Sequence, residues 1–195
     1  MAKVFVSATV SVDGFIADEN DGIGPMFDWM GNGDVAVDTE GAYAGLRVTQ
    51  ASAEYIREEF MPVRAVVVGR TSFDHANGWN GEVPGADHAY VVTHEPPADW
   101  AYPDAPFTFV TDGVASAIAQ AREFAGDGAV SVTAGDIGTQ VIEAGLADEV
   151  HLELVPVLFG TGKRFFHDGG TQRMLENPRV FVGDRVVHLC YPVSK

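Results

Sequence analysis

Three short segments of the sequence combine residue types that bind anionic groups. Residues 69–71 (Gly-Arg-Thr) follow an apolar run and open a predicted helix, which brings backbone N–H groups and a guanidinium together. Thr93 and His94 end the next predicted strand, and residues 134–139 leave a further strand in small residues before a helix. Each segment alone is also typical of an ordinary turn with helix caps. Because ligands of open α/β sheets bind beyond the carboxyl ends of the strands, the three segments together predict one anion site.

The elements that must position these segments follow from the apolar patterning. Strands are predicted at residues 4–10, 65–68, 89–93, 107–110, 129–133, 149–155, 179–182 and 185–191, and helices at residues 50–60, 113–125 and 136–144. Thr49 and Asp112 are the predicted caps of the first two helices, and Gly183-Asp184 is a two-residue hairpin signal. The pattern predicts one α/β domain over residues 1–195, a three-layer fold whose mostly parallel mixed sheet is flanked by helices and carries an antiparallel C-terminal β-ribbon.

Residues 13–48 interrupt this pattern with a long loop rich in Gly, Asp and Asn that carries scattered aromatic side chains. Loops of this length in a compact domain usually cover a site, so we expect the loop to select the substrate. Asp13, Phe27 and Trp29 are the predicted substrate contacts. The alternative is that the two aromatic residues simply cap the core.

The composition excludes several classes of protein. Twelve basic against 28 acidic residues give a net charge of −16, which argues against nucleic acid binding because that binding relies on clustered Lys and Arg. No apolar run approaches the ~18 residues that span a bilayer, and the chain does not open like a signal peptide, so we expect a cytoplasmic protein without membrane contact. Cys190 is the only cysteine, which excludes an intrachain disulfide and a cysteine-based zinc cluster.

The spacing of the residues in this chain does not match known metal-binding or nucleotide-binding motifs. Residues 160–163 lack the outer Gly and the hydroxyl of a phosphate loop, residues 18–22 miss the register of a calcium loop, and no Gly-x-Gly-x-x-Gly follows a strand. His151 and Glu153 share a predicted strand face, but a His in a strand is more often structural than a metal ligand. The sequence therefore predicts no metal site.

Five segments of the chain carry a family resemblance in their order and residue types. They are residues 11–17 (Ser-Val-Asp-Gly-Phe-Ile-Ala), 68–71 (Val-Gly-Arg-Thr), 91–93 (Val-Val-Thr), 144–162 and 165–166 (Phe-Phe). Together they resemble the dihydrofolate-reductase-like family, and within it the reductase domain of the riboflavin-biosynthesis deaminase-reductase. The resemblance implies an NADPH-dependent reductase with a mostly parallel mixed sheet. It also implies a homodimer, which would cover the apolar edge of the C-terminal ribbon.

The resemblance further implies a cofactor site built from four parts of the chain. Its positions are Ala8 and Ile16 at the nicotinamide pocket, Gly69, Arg70 and Thr71 at a phosphate of the adenosine half, Thr93 near the adenosine ribose and its 2′-phosphate, and Gly135, Asp136, Ile137, Gly138 and Thr139 around the pyrophosphate. Ala134 stands where the family usually has a second Gly.

The implied reaction is hydride transfer from NADPH to a C=N or C=O bond of a small heterocyclic or ribosylamino-pyrimidine substrate, similar to the 5-amino-6-(5-phosphoribosylamino)uracil reductase of riboflavin biosynthesis. The alternatives are a nucleotide-binding sensor or scaffold without turnover, and a dihydrofolate reductase. The proton donor stays open. Dihydrofolate reductase carries an acidic residue on the first helix, for which Glu54 and Glu58 are the nearest positions here, and Asp13 is a further candidate.

Overall fold

A long mixed sheet with helices on both faces organises the chain. The computed structural model describes residues 1–37, 44–168 and 170–194, so part of the predicted long loop, residues 38–43, lies outside the described residues. The strands are β1 (Lys3–Ser11), β2 (Phe15–Ala17), β3 (Val35–Ala36), β4 (Arg47–Val48), β5 (Val63–Gly69), β6 (His88–Val92), β7 (Phe107–Val110), β8 (Ala129–Thr133), β9 (Glu149–Val155), β10 (Lys163–Arg164), β11 (Arg179–Val182) and β12 (Val187–Pro192). The helices are α1 (Gln50–Tyr55), α2 (Arg70–His75), α3 (Val114–Ala125) and α4 (Asp136–Glu143), with a π-helical turn at Ile56–Phe60 and 3₁₀ turns at Asp28–Gly31 and Asn77–Gly81. None of these described helices is long and apolar enough to cross a membrane.

The strand order of the main sheet is β11-β12-β9-β1-β8-β5-β6-β7. Neighbouring strands from β9 to β7 run parallel, whereas β12 pairs antiparallel with β9 and β11 pairs antiparallel with β12. The predicted mostly parallel mixed sheet with an antiparallel C-terminal ribbon is confirmed. The short strands β2 and β10 pair with each other outside this sheet, as do β3 and β4.

Alternating apolar side chains bury both faces of the sheet. On one face, Val6 of β1 belongs to a core cluster with Ile118 of α3 and Val141 of α4. On the other face, Phe5 of β1 belongs to a cluster with Phe73 of α2. Successive residues of a strand point to opposite faces, so the two clusters form on either side of β1 and the fold has three layers.

The sequence predicts side-chain caps for α1 and α3, and the structure contains only the cap of α1. The predicted cap of α1 is confirmed, because the Thr49 side chain accepts a hydrogen bond from the Ser52 N–H at 3.3 Å. The predicted Asp112 cap of α3 is wrong. The chain enters α3 through Gly113 at φ 94°, and no side chain caps that helix.

The C-terminal hairpin loop is displaced by one residue from the predicted Gly183-Asp184, because the bonded residues Gly183 and Val186 enclose Asp184 and Arg185. The Gly183 N–H donates to the Val186 carbonyl at 2.9 Å, and β12 begins only at Val187. Asn32, from a distant part of the chain, donates its side-chain amide to the Asp184 carbonyl at 2.8 Å. The loop is therefore held by a tertiary contact, which the local sequence does not contain.

Two strand-to-helix connections bring the predicted anion segments to one edge of the sheet. β5 ends at Gly69 and α2 begins at Arg70, while β8 ends at Thr133 and α4 begins at Asp136. Because β5 and β8 are neighbouring parallel strands, both helices begin at the same edge.

Candidate functional site

A groove of about 1080 Å³ lies at the carboxyl ends of the central strands, and we call it the polar groove. The predicted cofactor residues that line it are Ile16, Gly69, Arg70, Thr71, Thr93, Gly135, Asp136 and Ile137. The structure therefore brings together the three segments that the sequence keeps far apart.

The start of α4 faces the polar groove with backbone N–H groups. Gly135 precedes the helix at φ 86°, and no side chain caps the first turn. The Gly135 N–H donates to the Phe165 carbonyl at 2.8 Å, which holds the turn in place. A Cβ added to Gly135 would have only Ile16 Cδ1 at 3.7 Å and the Arg164 carbonyl oxygen at 4.0 Å around it, so the space before the helix is open. An open, uncapped helix start can hold an anion.

Gly138 and Thr139 do not line the polar groove, and their predicted place around a pyrophosphate stays a prediction. A Cβ on Gly138 would lie 2.6 Å from Val6 Cγ1, so this Gly allows α4 to pack closely on β1. The Thr139 N–H donates to the Gly135 carbonyl at 2.9 Å, and the Thr139 hydroxyl accepts from the His167 N–H at 2.9 Å. Both residues therefore hold the start of α4 in place without lining the polar groove.

The starts of α2 and α4 lie side by side because residue 69 is Gly. A Cβ at Gly69 would lie 2.9 Å from Ile137 Cγ1. A side chain at this position would require the Ile137 side chain to move.

Arg70 is held in place by its own neighbours. Its Nε donates to the two Asp74 carboxylate oxygens at 2.8 and 2.9 Å, and its Nη1 donates to the Glu95 carbonyl at 2.7 Å. The Thr93 hydroxyl donates to the same carbonyl at 2.8 Å. The Arg70 side chain is 36% exposed, so it can meet a phosphate, although Asp74 offsets part of its charge.

A second basic wall of the polar groove was not predicted from the sequence. Lys163 and Arg164 of β10 line the groove, where Lys163 lies 3.8 Å from Asp21 and Arg164 lies 3.6 Å from Asp168. With Arg70, they place three of the 12 basic residues of a chain of net charge −16 around one groove. The signal in the sequence is the pair of adjacent basic residues directly after a Gly-rich turn. This segment does not match a phosphate-loop motif, but its two basic residues could have indicated this wall of the groove.

A smaller cavity of about 350 Å³, which we call the apolar pocket, adjoins the polar groove. Ala8, Phe27 and Trp29 line this pocket, together with further aliphatic and aromatic side chains. The residues shared by both cavities are Ile16, Ile23, Ser72, Thr133 and Ala134. The two cavities therefore form one continuous site with a charged part and an apolar part.

Glu153 is the one ionisable side chain among the described residues that line the apolar pocket. It is 4% exposed, and the Tyr55 hydroxyl donates to one of its oxygens while the Thr9 hydroxyl donates to the other at 3.5 Å. Burial raises the pKa of Glu153 to about 7, against the opposite effect of these two donors. A carboxyl group with this pKa holds a proton near neutral pH and can deliver it to a ligand.

The two acids of the first helix that the sequence offers as candidate proton donors lie away from the apolar pocket, so the structure does not support either of them in that role. Glu54 is exposed and accepts from Gln50 Nε2 at 2.9 Å. Glu58 is also exposed, with a carboxylate oxygen 3.6 Å from Arg179 Nη1. The helix turns Tyr55 into the protein and these two carboxylates outward.

Asp13 lines neither cavity, which corrects its predicted contact with a substrate. Its carboxylate accepts from the Ser11 hydroxyl at 2.5 Å and from the N–H groups of Phe159 and Gly160 at 3.1 and 2.7 Å. The Ser11 and Gly160 donors hold the pKa of Asp13 below its ordinary value. Asp13 therefore fastens the turn after β1 to the segment after β9.

Comparison with known proteins agrees with this architecture, which is of the dihydrofolate-reductase-like class. The chain belongs to the RibD C-terminal domain family, whose model matches residues 2–189. The resemblance predicted from the sequence is confirmed.

Individual relatives share little sequence identity with this chain. The putative riboflavin biosynthesis protein of Shewanella sp. PV-4 is 17% identical, with a TM-score of 0.72 over 100% of both chains. A pyrimidine reductase-like protein of Corynebacterium diphtheriae is 14% identical, with a TM-score of 0.64 over 100% of this chain and 92% of that chain. Dihydrofolate reductase of Enterococcus faecalis, solved with NADP(H), is 12% identical, with a TM-score of 0.60 over 99% and 97%. The uncharacterized protein YwjB of Bacillus subtilis is 23% identical over 167 residues, 85% of this chain and 83% of its own length.

Proposed function

We propose that the protein is a reductase that transfers hydride from NADPH to a C=N or C=O bond of a small heterocyclic or ribosylamino-pyrimidine substrate. One observation carries this proposal: a groove built on two helix starts adjoins an apolar pocket that holds a protonatable carboxyl group. Such a reductase needs a site for the phosphates of a dinucleotide, a dry site for the reacting rings and a source of protons.

The polar groove fits the phosphates of NADPH. Gly135 leaves open space before the uncapped start of α4, where backbone N–H groups can surround a pyrophosphate. Arg70, Lys163 and Arg164 offer cationic groups on two walls of the same groove. When bound, the nicotinamide ring supplies the hydride.

The residues of the apolar pocket perform the rest of the chemistry. Ala8 and Ile16 keep water away from the reacting rings, because they form an apolar surface beside the polar groove. Hydride addition to the carbon of a C=N or C=O bond leaves negative charge on the nitrogen or oxygen. Glu153 donates the proton that neutralises this charge, and Tyr55 positions the Glu153 carboxyl group through its hydrogen bond.

The proposal is tested by Gly135→Val, which fills the space before α4. We expect this variant to lose NADPH binding, measured by calorimetry, while its free energy of unfolding falls by only ~1–3 kcal/mol. Gly145→Val is the matched control, because Gly145 lies just after the same helix at φ 69° and a Cβ added there would meet no heavy atom within 4 Å. It should show similar backbone strain and still bind NADPH.

Thermal unfolding with and without NADPH gives the second readout. Wild type that gains no stability from NADPH would contradict the proposal, and so would equal NADPH-dependent stabilisation of wild type and Gly135→Val. NADPH binding without oxidation by any reducible heterocycle would favour the sensor or scaffold alternative.

A further inference from the structure

The apolar pocket differs from the polar groove in its charge. None of the described residues that line the apolar pocket is Lys, Arg or His, and Glu153 is its single ionisable side chain. Among the residues that the structure describes, a ligand in this pocket would meet one carboxyl group and no cation.

Basic residues nearest in sequence to the pocket are engaged elsewhere. Arg47 donates to the Asp34 carbonyl at 2.8 Å, and Arg57 donates to the Ala36 carbonyl at 3.3 Å, so both hold the short β3 segment in place. Lys163 and Arg164 line the polar groove, which the proposed function assigns to the phosphates of NADPH. No cation in the described part of the pocket remains for a second anionic ligand.

Aromatic and aliphatic surfaces make up most of the pocket wall. Phe27, Trp29 and Trp79 supply rings, and Leu46 and Met30 add flexible aliphatic surface. Such a wall favours a flat apolar ring system. A phosphate or carboxylate placed here would lose its hydration, find no cationic partner, and lie in the same pocket as Glu153.

We propose that the substrate reduced in this pocket is an uncharged heterocycle, which presents a ring nitrogen or carbonyl oxygen to Glu153 and carries neither a phosphate nor a carboxylate tail. The inference rests on the proposed function and narrows its substrate class. It separates this protein from an enzyme that acts on a phosphorylated ribosylamino-pyrimidine or on a glutamylated pterin, since each of those substrates brings an anion into the site. The balance of the reaction is one hydride from NADPH to carbon and one proton from Glu153 to nitrogen or oxygen, which leaves NADP⁺ and a carboxylate that takes its next proton from water.

Two matched pairs of compounds test this inference on the full chain loaded with NADPH. The first pair is 5-amino-6-(ribosylamino)uracil and its 5′-phosphate, and the second is 6-methyl-7,8-dihydropterin and 7,8-dihydrofolate. The first pair differs only in the phosphate, and the second shares its pterin ring but differs in the p-aminobenzoylglutamate tail, which carries two carboxylates. Calorimetric affinity and NADPH oxidation are measured for all four. We expect the uncharged member of each pair to bind at least about tenfold more tightly than the anionic member.

A charge-introducing variant provides the complementary experiment. Phe27 is 41% exposed, so the ammonium group of Phe27→Lys can reach water at the mouth of the pocket without disturbing the core. Phe27→Met is its uncharged control of similar length. We expect Phe27→Lys to shift the affinity ratio within each pair towards the anionic member by about tenfold relative to Phe27→Met.

The outcomes separate this inference from the proposed function. Tighter binding of the phosphorylated or glutamylated member, with NADPH oxidation, would overturn the inference and leave the reductase proposal intact. Failure of both uncharged compounds to bind the NADPH-loaded protein would also overturn it. Failure of NADPH itself to bind would instead overturn the proposed function on which the inference rests.

Discussion

Glu153 is the residue to which the proposed function assigns proton donation. It lies in the middle of β9, between Leu152 and Leu154, and its carboxyl group is removed from water. Tyr55 and Thr9 donate to it from α1 and β1, so its position is fixed from two sides. A buried carboxyl group without a cationic partner is costly to ionise, which is the property that a proton donor needs near neutral pH.

The pH dependence of catalysis should follow from this residue. Glu153 is protonated below its pKa of about 7 and ionised above it. We therefore expect kcat to be constant below about pH 7 and to fall about tenfold per pH unit above it. Glu153→Gln should lower kcat by about 10²–10⁴-fold and abolish this decline, because Gln does not titrate.

The control for this measurement is Glu149→Gln, on the same strand. The pKa of Glu149 is lowered to about 2, chiefly by its hydrogen bond with His151, so Glu149 does not titrate near neutral pH. Glu149 also does not line the apolar pocket. Its variant should keep the same midpoint in the pH profile. A decline that survives in Glu153→Gln would assign the proton donor to another group.

The choice of cofactor is a second property at this scale. Arg70→Ala should weaken NADPH binding by about tenfold, or ~1.4 kcal/mol, because a guanidinium bond to a phosphate is lost while Asp74 already offsets part of its charge. Wild type should prefer NADPH to NADH. Arg64→Ala is the control, since Arg64 pairs with Asp87 and does not line the polar groove. Calorimetric titration of both cofactors against both variants decides the assignment, and equal wild-type affinities would contradict it.

The residues that line the polar groove are more predictable from the sequence than the buried acid of the apolar pocket. Gly69, Arg70 and Gly135 were accessible because strand ends of a parallel sheet must meet at one edge, whatever the packing in detail. Glu153 was visible only as a strand residue on the same face as His151. Its role depends on which side chains cover that face, namely Tyr55 from α1, and the sequence pattern does not contain this tertiary contact.

The elements are joined by a charged cluster at the opposite end of α1 from its cap. Glu59, in the π-helical turn, is 2% exposed and binds Lys3 of β1 at 2.6 Å and Arg179 of β11. Glu149 of β9 also lies within 3.2 Å of Lys3 and 3.5 Å of Arg179. One buried carboxylate therefore connects the helix to both the centre and the edge of the sheet.

Stability should depend strongly on this cluster. Glu59→Ala leaves Lys3 with Glu149, and Arg179 with Glu149 and the exposed Glu58, and we expect the free energy of unfolding to fall by about 2–4 kcal/mol. Glu58→Ala is the matched control, because Glu58 is exposed and its ion pair with Arg179 should contribute no more than about 1 kcal/mol. Urea unfolding with an unchanged m-value measures both. Equal losses in the two variants would show that burial of Glu59 has no special effect.

The predictability of the elements follows from their length. Strands and helices of the main sheet carry enough apolar residues to be recognised from their period, and β1, β8 and α4 were found within one or two residues of their ends. β2 and β10 were missed, because strands of three and two residues form through their mutual pairing, between residues about 150 positions apart. That pairing also brings the basic residues of β10 to the polar groove.

At the scale of the whole molecule, the sheet has two different edges. β7 ends the parallel side, and β11 ends the antiparallel ribbon, with no further strand beside it in the described part of the chain. Val180 and Val182 of β11 are 52% and 69% exposed. An apolar edge strand of this kind is normally covered, because its unpaired N–H and C=O groups can pair with another chain.

A homodimer formed through β11 is therefore our prediction for the assembled protein. Light scattering at micromolar concentration should give about twice the 20.8 kDa of one chain. Val182→Lys places a charge on the edge and should shift the protein towards the single-chain mass. Val12→Lys is the control, since Val12 is 60% exposed but follows β1, which two strands separate from β11, and its variant should remain dimeric. A single-chain mass for wild type, or dissociation of both variants alike, would contradict an interface at β11.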